Sequence, residues 1–393
     1  MSYQIEQDEL YARLKKVRVK TKEICAPLEV EDHVLQPIEN VSPPKWHLAH
    51  TTWFFEQLVL LPNLKGYKEY HPDFSYLFNS YYNSLGDRVI RSNRGFMSRP
   101  TVSEVYKYRH YIDEHLEKLF ESELPQELLQ IIEVGLNHEQ QHQELLVYDL
   151  KYILGYQPTF PVYGDYFIVP KEESRNEWAV VEEGLYEVGT RGQSFHFDNE
   201  APSHKVYLSG CRIRKNLVTN GEYLEFMEDG GYSNHALWLS EGWDFINENR
   251  QKAPLYWHKK EGQWFWYNLN GFGPVDPDVP VQHITFYEAA AFADWAGYRL
   301  PTEFEWEVAS EQFKWGSLWE WTSSAYSPYP GYKKTEGPLG EYNSKFMLNQ
   351  NVLRGSSMAT PAGHERKTYR NFFHASSRWV FTGIRLADNL SRS

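Results

Sequence analysis

The segment from about Gln126 to Tyr156 constrains this chain most, because Ile131, Val134, His138, His142, Leu145, Asp149 and Ile153 recur along it at steps of three and four. That period describes one long helix with a single inward stripe. Two histidines stand on the stripe where apolar side chains belong. Spaced i, i+4, the His138 and His142 imidazoles lie about one turn apart on one face, which suits a helix gripping a single cation. A third nitrogen has to come from elsewhere, and a second cluster, Trp46-His47-Leu48-Ala49-His50, also sits on a helical segment. Taken alone, His138 and His142 also fit two satisfied histidines on an ordinary helix; the second cluster moves the weight to a metal site.

The first 155 residues read mostly as helix. Leu10, Leu14, Val17 and Ile24 keep one stripe. Pro43 and Pro44 open a second helix carrying Trp46, His50, Trp53, Phe54 and Gln57, and Pro100-Thr101 precedes a third that runs to about Glu121. Four such helices predict a bundle, in which metal sites are built from inward side chains of facing helices. Glu144 follows His142 by two residues, so it falls on another face and is not expected as a ligand. His47 is expected in a structural role, as a hydrogen-bond partner that orients a ligand.

A chain of 393 residues is long enough for two domains, each with its own core. Its formal net charge of -13 argues against nucleic acid or an anionic membrane as partner, and no run of Lys or Arg forms a basic stripe. Cys25 and Cys211 are the only cysteines, which argues against a disulfide framework and excludes a zinc site built from three or four cysteines of one chain. An acidic N-terminus and the absence of any apolar run near the roughly 20 residues that span a bilayer predict a cytoplasmic protein with no membrane partner. The 14 Trp and 28 Tyr are well suited to lining a pocket for a flat or cationic ligand.

Around 157–177 the texture turns to Pro, Gly and mixed charge and is read as a linker. Beyond it, 178–393 shows short β-like runs such as Lys205-Val206-Tyr207-Leu208, glycine-rich turns, and one clear helix, Thr285 to Ala296. The expected fold class is therefore α+β and multidomain: a helical bundle over 1–156, a linker over 157–177, and a mixed domain over 178–393.

Several motifs resemble a known family. In the C-terminal half they are Phe197-Asp198-Asn199-Glu200-Ala201-Pro202-Ser203-His204, Val218-Thr219-Asn220-Gly221-Glu222-Tyr223, Tyr298-Arg299-Leu300-Pro301-Thr302-Glu303-Phe304-Glu305-Trp306-Glu307 and Thr382-Gly383-Ile384-Arg385-Leu386-Ala387. They look like the formylglycine-generating-enzyme-type domain, a C-type-lectin-like fold, while the N-terminal half resembles a DinB-like four-helix bundle. The ordered pair resembles the non-haem iron sulfoxide synthases of ergothioneine biosynthesis, which join a sulfur donor to the imidazole of N-α-trimethylhistidine using dioxygen.

The resemblance implies Fe(II) held by His50, His138 and His142. It implies active-site tyrosines at Tyr81 and Tyr82, within Phe78-Asn79-Ser80-Tyr81-Tyr82-Asn83. It assigns Gln141 to the trimethylhistidine, with Asn371, Phe372 and Phe373 closing over that substrate. The carboxylate of the sulfur donor falls to Arg88, Arg91 or Arg94, with Arg91 the first choice. Formylglycine-generating enzymes work through cysteines, and Cys211 alone stands in this half, so that activity is not expected. Relatives using γ-glutamylcysteine carry an acidic residue where this chain has Phe373, which favours free cysteine. Three histidines alone do not choose a metal. A selenium donor giving selenoneine, a zinc-dependent DinB-like thiol transferase, and a binding module with a structural metal are the competing readings.

Overall fold

The computed structural model describes residues 3–82, 84, 86–172, 177–334 and 343–390. Asn83 of the tyrosine motif and 173–176 of the linker lie outside the described residues. The chain divides into two compact units, the first chiefly Met1–Gly164 and the second chiefly Asp165–Gly192, His196–Lys334 and Asn343–Ser393.

In the first unit, α1 (Gln7–Cys25) buries Leu10, Leu14, Val17 and Ile24, the stripe written in the sequence. Helix α2 (Pro44–Phe55) starts on a proline, whose missing N–H costs nothing at a first turn, and all twelve of its residues are buried. It runs on through a π-helical turn at Glu56–Leu60. Helix α3 (Val102–Phe120) is capped by Thr101 and Glu104 in a reciprocal box. Helix α4 (Gln126–Gly155) has 30 residues. It packs on α1 and α2, and α2 packs on α3. The approach of α4 to α2 depends on Gly135, where a Cβ would lie 2.6 Å from a Phe54 ring carbon and 2.8 Å from one of Phe55.

A buried carboxylate ties these helices together. Glu139 of α4 accepts from Arg18 Nη1 at 3.0 Å and Thr21 Oγ1 at 2.6 Å on α1, and from Arg109 Nη2 on α3. Arg109 also donates to the Arg18 carbonyl at 2.8 Å and to Thr51 and Thr52 of α2 at 3.3 Å. Burial alone would raise the Glu139 carboxyl, but the charges of Arg109 and Arg18 hold it down at about 2.

The second unit is mixed. Strands β1 (Trp178–Val188) and β2 (His204–Arg214) pair antiparallel from Trp178↔Arg214 to Val188↔His204. Helices α5 (Asn220–Glu228) and α6 (Ser240–Glu248) precede a three-stranded meander of β3 (Trp257–Lys260), β4 (Gln263–Asn268) and β5 (Gly271–Pro274). After α7 (Phe286–Trp295) and α8 (Glu303–Ala309), β6 (Trp319–Ala325), β7 (Asn351–Gly355), β8 (Asn371–Phe373) and β9 (Thr382–Gly383) form a sheet of order β8-β7-β6-β9. The β6–β9 pair is parallel. Strand β10 (Ala387–Asn389) returns to the free edge of β2. Trp306 and Ala309 of α8 pack with Ala179, Val181, Leu208, Cys211, Ile213 and Ala387 in the core.

The sequence expectation of one clear helix in this half needs correction, since α5, α6 and α8 accompany α7. Local sequence marks α5, α7 and α8 at their starts, with Thr219/Glu222, Thr285/Glu288 and Thr302/Glu305 each forming a capping box. Among the described residues no helix is long and apolar enough to cross a membrane.

Replacing Glu139 by Ala leaves the Arg109 guanidinium buried without its carboxylate, while Arg18 keeps only Asp113. The expected cost is about 3–5 kcal/mol of unfolding free energy, read from chemical denaturation midpoints. A loss below about 1 kcal/mol, the scale of a surface pair, would show that the node does not hold the bundle.

Candidate metal centre

His50 lies on α2 and His138 and His142 on α4, all buried, and one ring nitrogen from each lies within 4.8 Å of the others. Burial and the neighbouring imidazoles push all three rings towards the neutral form, with His138 lowered to about 3 and His50 and His142 well below the usual histidine range. Neutral imidazole is the form that offers a lone pair to a metal.

The hydrogen bonds set the direction of those lone pairs. His50 Nδ1 lies 2.7 Å from the Phe78 carbonyl, which only accepts, so Nδ1 carries the hydrogen and Nε2 the lone pair. His50 Nε2 lies 3.2 Å from His138 Nε2. Two nitrogens sharing a cation through bonds of about 2.0–2.1 Å sit at such a spacing. His142 Nδ1 is engaged by His47 Nδ1 at 2.9 Å, which leaves its Nε2 for an ion. His47 Nε2 in turn meets Asp149 Oδ2 at 2.9 Å. Three neutral imidazoles, with a hydrogen-bond partner directing His50 and another directing His142, fit a divalent transition metal.

Aromatic rings pack round this cluster. Trp46 stacks on His50 with centroids 4.5 Å apart, Trp53 on His50 at 5.6 Å, and Phe54 tilts against His138 at 5.0 Å. Such apolar walls keep competing water away from bound ligands. Tyr82 joins the same wall through Trp53 at 5.5 Å, and Tyr81 stacks on Tyr82 at 5.0 Å. Burial raises the Tyr81 phenol above its ordinary value. The loop is fixed by Asn79, whose side chain accepts from the Tyr82 N–H at 3.1 Å and donates to the Tyr82 carbonyl at 3.0 Å.

The three arginines fare differently. Arg91 is exposed and donates to the Asn40 carbonyl at 2.6 Å, and Arg88 is also exposed. Arg94 is buried, lies 3.4 Å from the Trp46 ring centroid, and donates to Ser42 Oγ at 2.9 Å. Its charge acts on His50, His47 and His142. Geometry therefore brings Arg94 to the histidines through Trp46, whereas the sequence reading put Arg91 first. Their i, i+3, i+6 spacing gave no sign of which is buried.

Gln141 is half-buried on α4, three residues after His138. Asn371, Phe372 and Phe373 lie on β8 of the second unit and are half-buried. Phe372 stacks on Tyr326 at 4.1 Å, and Phe373 meets Trp379 edge-on at 5.7 Å. Glu144 accepts from the Tyr148 hydroxyl and is not one of the clustered donors. Asp149 and Ser42 carried no assigned role at the sequence level, although Asp149 stood on the inward stripe as its one acidic member. In β2, Cys211 is fully buried opposite Val181, and burial pushes its thiol up to about 12, so it has none of the thiolate character a reactive cysteine needs. Glu320 pairs with Arg385, and Arg354 with Glu307, as buried ion pairs of the scaffold.

Comparison with known proteins agrees with this picture. Residues 166–314 match the Sulfatase-modifying factor enzyme 1-like domain. The hercynine oxygenase of Mycolicibacterium smegmatis is 34% identical over 245 residues, 48% of this chain and 55% of that protein. The hercynine oxygenase of Mycolicibacterium thermoresistibile is 32% identical over 255 residues, covering 51% and 55%. The formylglycine-generating enzyme of Mus musculus is 25% identical over 166 residues, covering 38% and 45%. The chain thus spans about half the length of the curated relatives it matches. The chain is thus similar to hercynine oxygenases over about half of its length, and residues 166–314 carry the sulfatase-modifying-factor domain.

Proposed function

We propose that this protein uses Fe(II) and dioxygen to join a thiol to the imidazole of N-α-trimethylhistidine, giving a sulfoxide on the route to ergothioneine. The observation that carries the reading is the buried set of three neutral imidazoles from two helices, with no fourth histidine, cysteine or carboxylate donor in the cluster among the described residues. The helical unit is read as DinB-like and the second unit as C-type-lectin-like, with the bundle over 1–156 and the second domain over 178–393.

The reaction balances without another reductant. One S–H and one ring C–H are lost, a C–S bond and an S=O bond form, and dioxygen takes four electrons. One of its oxygen atoms enters the sulfoxide and the other leaves as water. Bound iron would supply the redox chemistry and the open positions where thiolate, imidazole and oxygen gather.

The chain's own residues bind, orient and move protons. His50, His138 and His142 would hold the metal through Nε2. Arg94 is assigned to the carboxylate of the sulfur donor; its burial against Trp46 supports this over Arg88 and Arg91, because a guanidinium away from water pairs more strongly with a carboxylate. Tyr81 and Tyr82, stacked on one another, would hold and deliver a proton beside the metal. The raised Tyr81 phenol stays protonated at neutral pH, as a proton donor must. Gln141 and Asn371 are assigned to trimethylhistidine, and Phe372 or Phe373 would face its trimethylammonium, a contact worth roughly 1–2 kcal/mol when desolvated. The aromatic Phe373, where γ-glutamylcysteine users have an acid, supports free cysteine as donor.

Oxygen uptake by protein loaded anaerobically with Fe(II) tests this reading. Uptake should require both trimethylhistidine and cysteine, and the product should carry the joined masses plus one oxygen, less two hydrogens. Zinc in the isolated protein with no uptake would instead select a zinc-dependent thiol transferase, which the same three imidazoles would serve. Selenium in place of sulfur in the favoured product would select the selenoneine reaction. Replacing Tyr81 and Tyr82 together by Phe should divert turnover towards cysteine sulfinate, and an unchanged product ratio removes their role.

A further inference from the structure

We propose that His47 and Asp149 form a positioning relay that fixes the tautomer of His142 and so creates one of the three metal-binding lone pairs. The inference rests on the metal reading above and goes beyond it, because neither residue belongs to the ligand set.

The argument is an accounting of hydrogens. Asp149 Oδ2 lies 2.9 Å from His47 Nε2, and a carboxylate oxygen accepts, so Nε2 of His47 carries the N–H. A neutral imidazole has one N–H, which makes His47 Nδ1 an acceptor. That atom lies 2.9 Å from His142 Nδ1, so His142 must donate there. The hydrogen of His142 is then committed to Nδ1, and Nε2 is left as its lone pair, on a ring whose neighbours in the cluster are His50 and His138. With the opposite tautomer at His47, two N–H groups would collide or His142 would hold its hydrogen towards the ion.

The relay is itself anchored. Asp149 Oδ2 also accepts the Ser42 backbone N–H at 2.8 Å, and Ser42 Oγ accepts from Arg94 Nη1 at 2.9 Å. Ser42 stands two residues before the first residue of α2, while Asp149 lies seven residues beyond His142 on α4. The relay therefore spans the same two helices as the metal ligands and fixes their relative register. His47, His142, Asp149 and Ser42 are all buried, so water does not substitute for any member.

Cobalt(II) is the probe, titrated into the full chain and followed by its visible absorption. The wild type should bind one equivalent. His47→Phe, which cannot accept from His142, should bind about 10–100-fold more weakly, the usual effect of losing a partner behind a metal-bound histidine. His47→Asn puts an amide oxygen where Nδ1 stood and should recover most of the loss. Adding Asp149→Leu to His47→Phe should weaken binding little further, because the two act as one unit. Wild-type affinity in a folded His47→Phe protein, or fully additive losses, would overturn the relay. Absence of cobalt binding in the wild type would overturn the metal reading instead. Should His47→Phe fail to fold, nitrogen NMR of the zinc-loaded wild type decides directly: His47 must carry its hydrogen on Nε2 and His142 on Nδ1, and the reverse at either ring refutes the proposal.

Discussion

The buried carboxylate of Glu139 is the interaction on which the first unit depends. Helix α4 is 30 residues long and buried over much of its surface, so hydrophobic packing alone leaves its rotation weakly determined. Glu139 removes that freedom by accepting from Arg18 and Thr21 of α1 and from Arg109 of α3, while Arg109 reaches Thr51 and Thr52 of α2. Its neighbour in sequence is His138. Pinning Glu139 towards α1 and α3 turns His138 and His142 towards His50, and Gly135 lets the two backbones come close enough for the rings to meet. An ion-pair node of this kind adds little net stability over an apolar one, but it specifies one arrangement.

The same division of labour recurs in the second unit with different parts. Apart from β1 and β2 its strands are short and its connections long, yet arginines of those connections pair with buried glutamates: Arg370 with Glu303 at 2.7 Å, Arg385 with Glu320 at 2.5 Å and Arg366 with Glu200 at 2.7 Å. Each pair joins residues far apart in the chain. A scaffold stapled in this way can hold an irregular edge such as β8, with Asn371, Phe372 and Phe373, in one conformation.

The bundle was legible because its signal is periodic. The helix expected from Gln126 to Tyr156 is observed as Gln126–Gly155, and the one expected from Pro100-Thr101 to Glu121 as Val102–Phe120. The i, i+4 pair and the second cluster pointed to one metal site on two helices, and the family resemblance named His50 as its third ligand. What escaped was set by long-range pairing. Nothing local tells Arg94 from Arg91, since one is covered by Trp46 and the other faces solvent. Glu139 reads as an ordinary helix glutamate until Arg18 and Arg109 arrive from 121 and 30 positions away. Helices α5 and α8 were legible in principle, through Thr219-x-x-Glu222 and Thr302-x-x-Glu305, but each is under ten residues and too short for periodicity to show.

The central claim is that three histidines hold one metal and leave room for the thiol to reach it. X-ray absorption at the iron edge of anaerobically loaded protein tests it most directly. The account predicts a first shell of nitrogen and oxygen with the scattering signature of three imidazoles, and a sulfur neighbour that enters when cysteine is added. A shell with fewer imidazoles, or one that cysteine leaves unchanged, would contradict it.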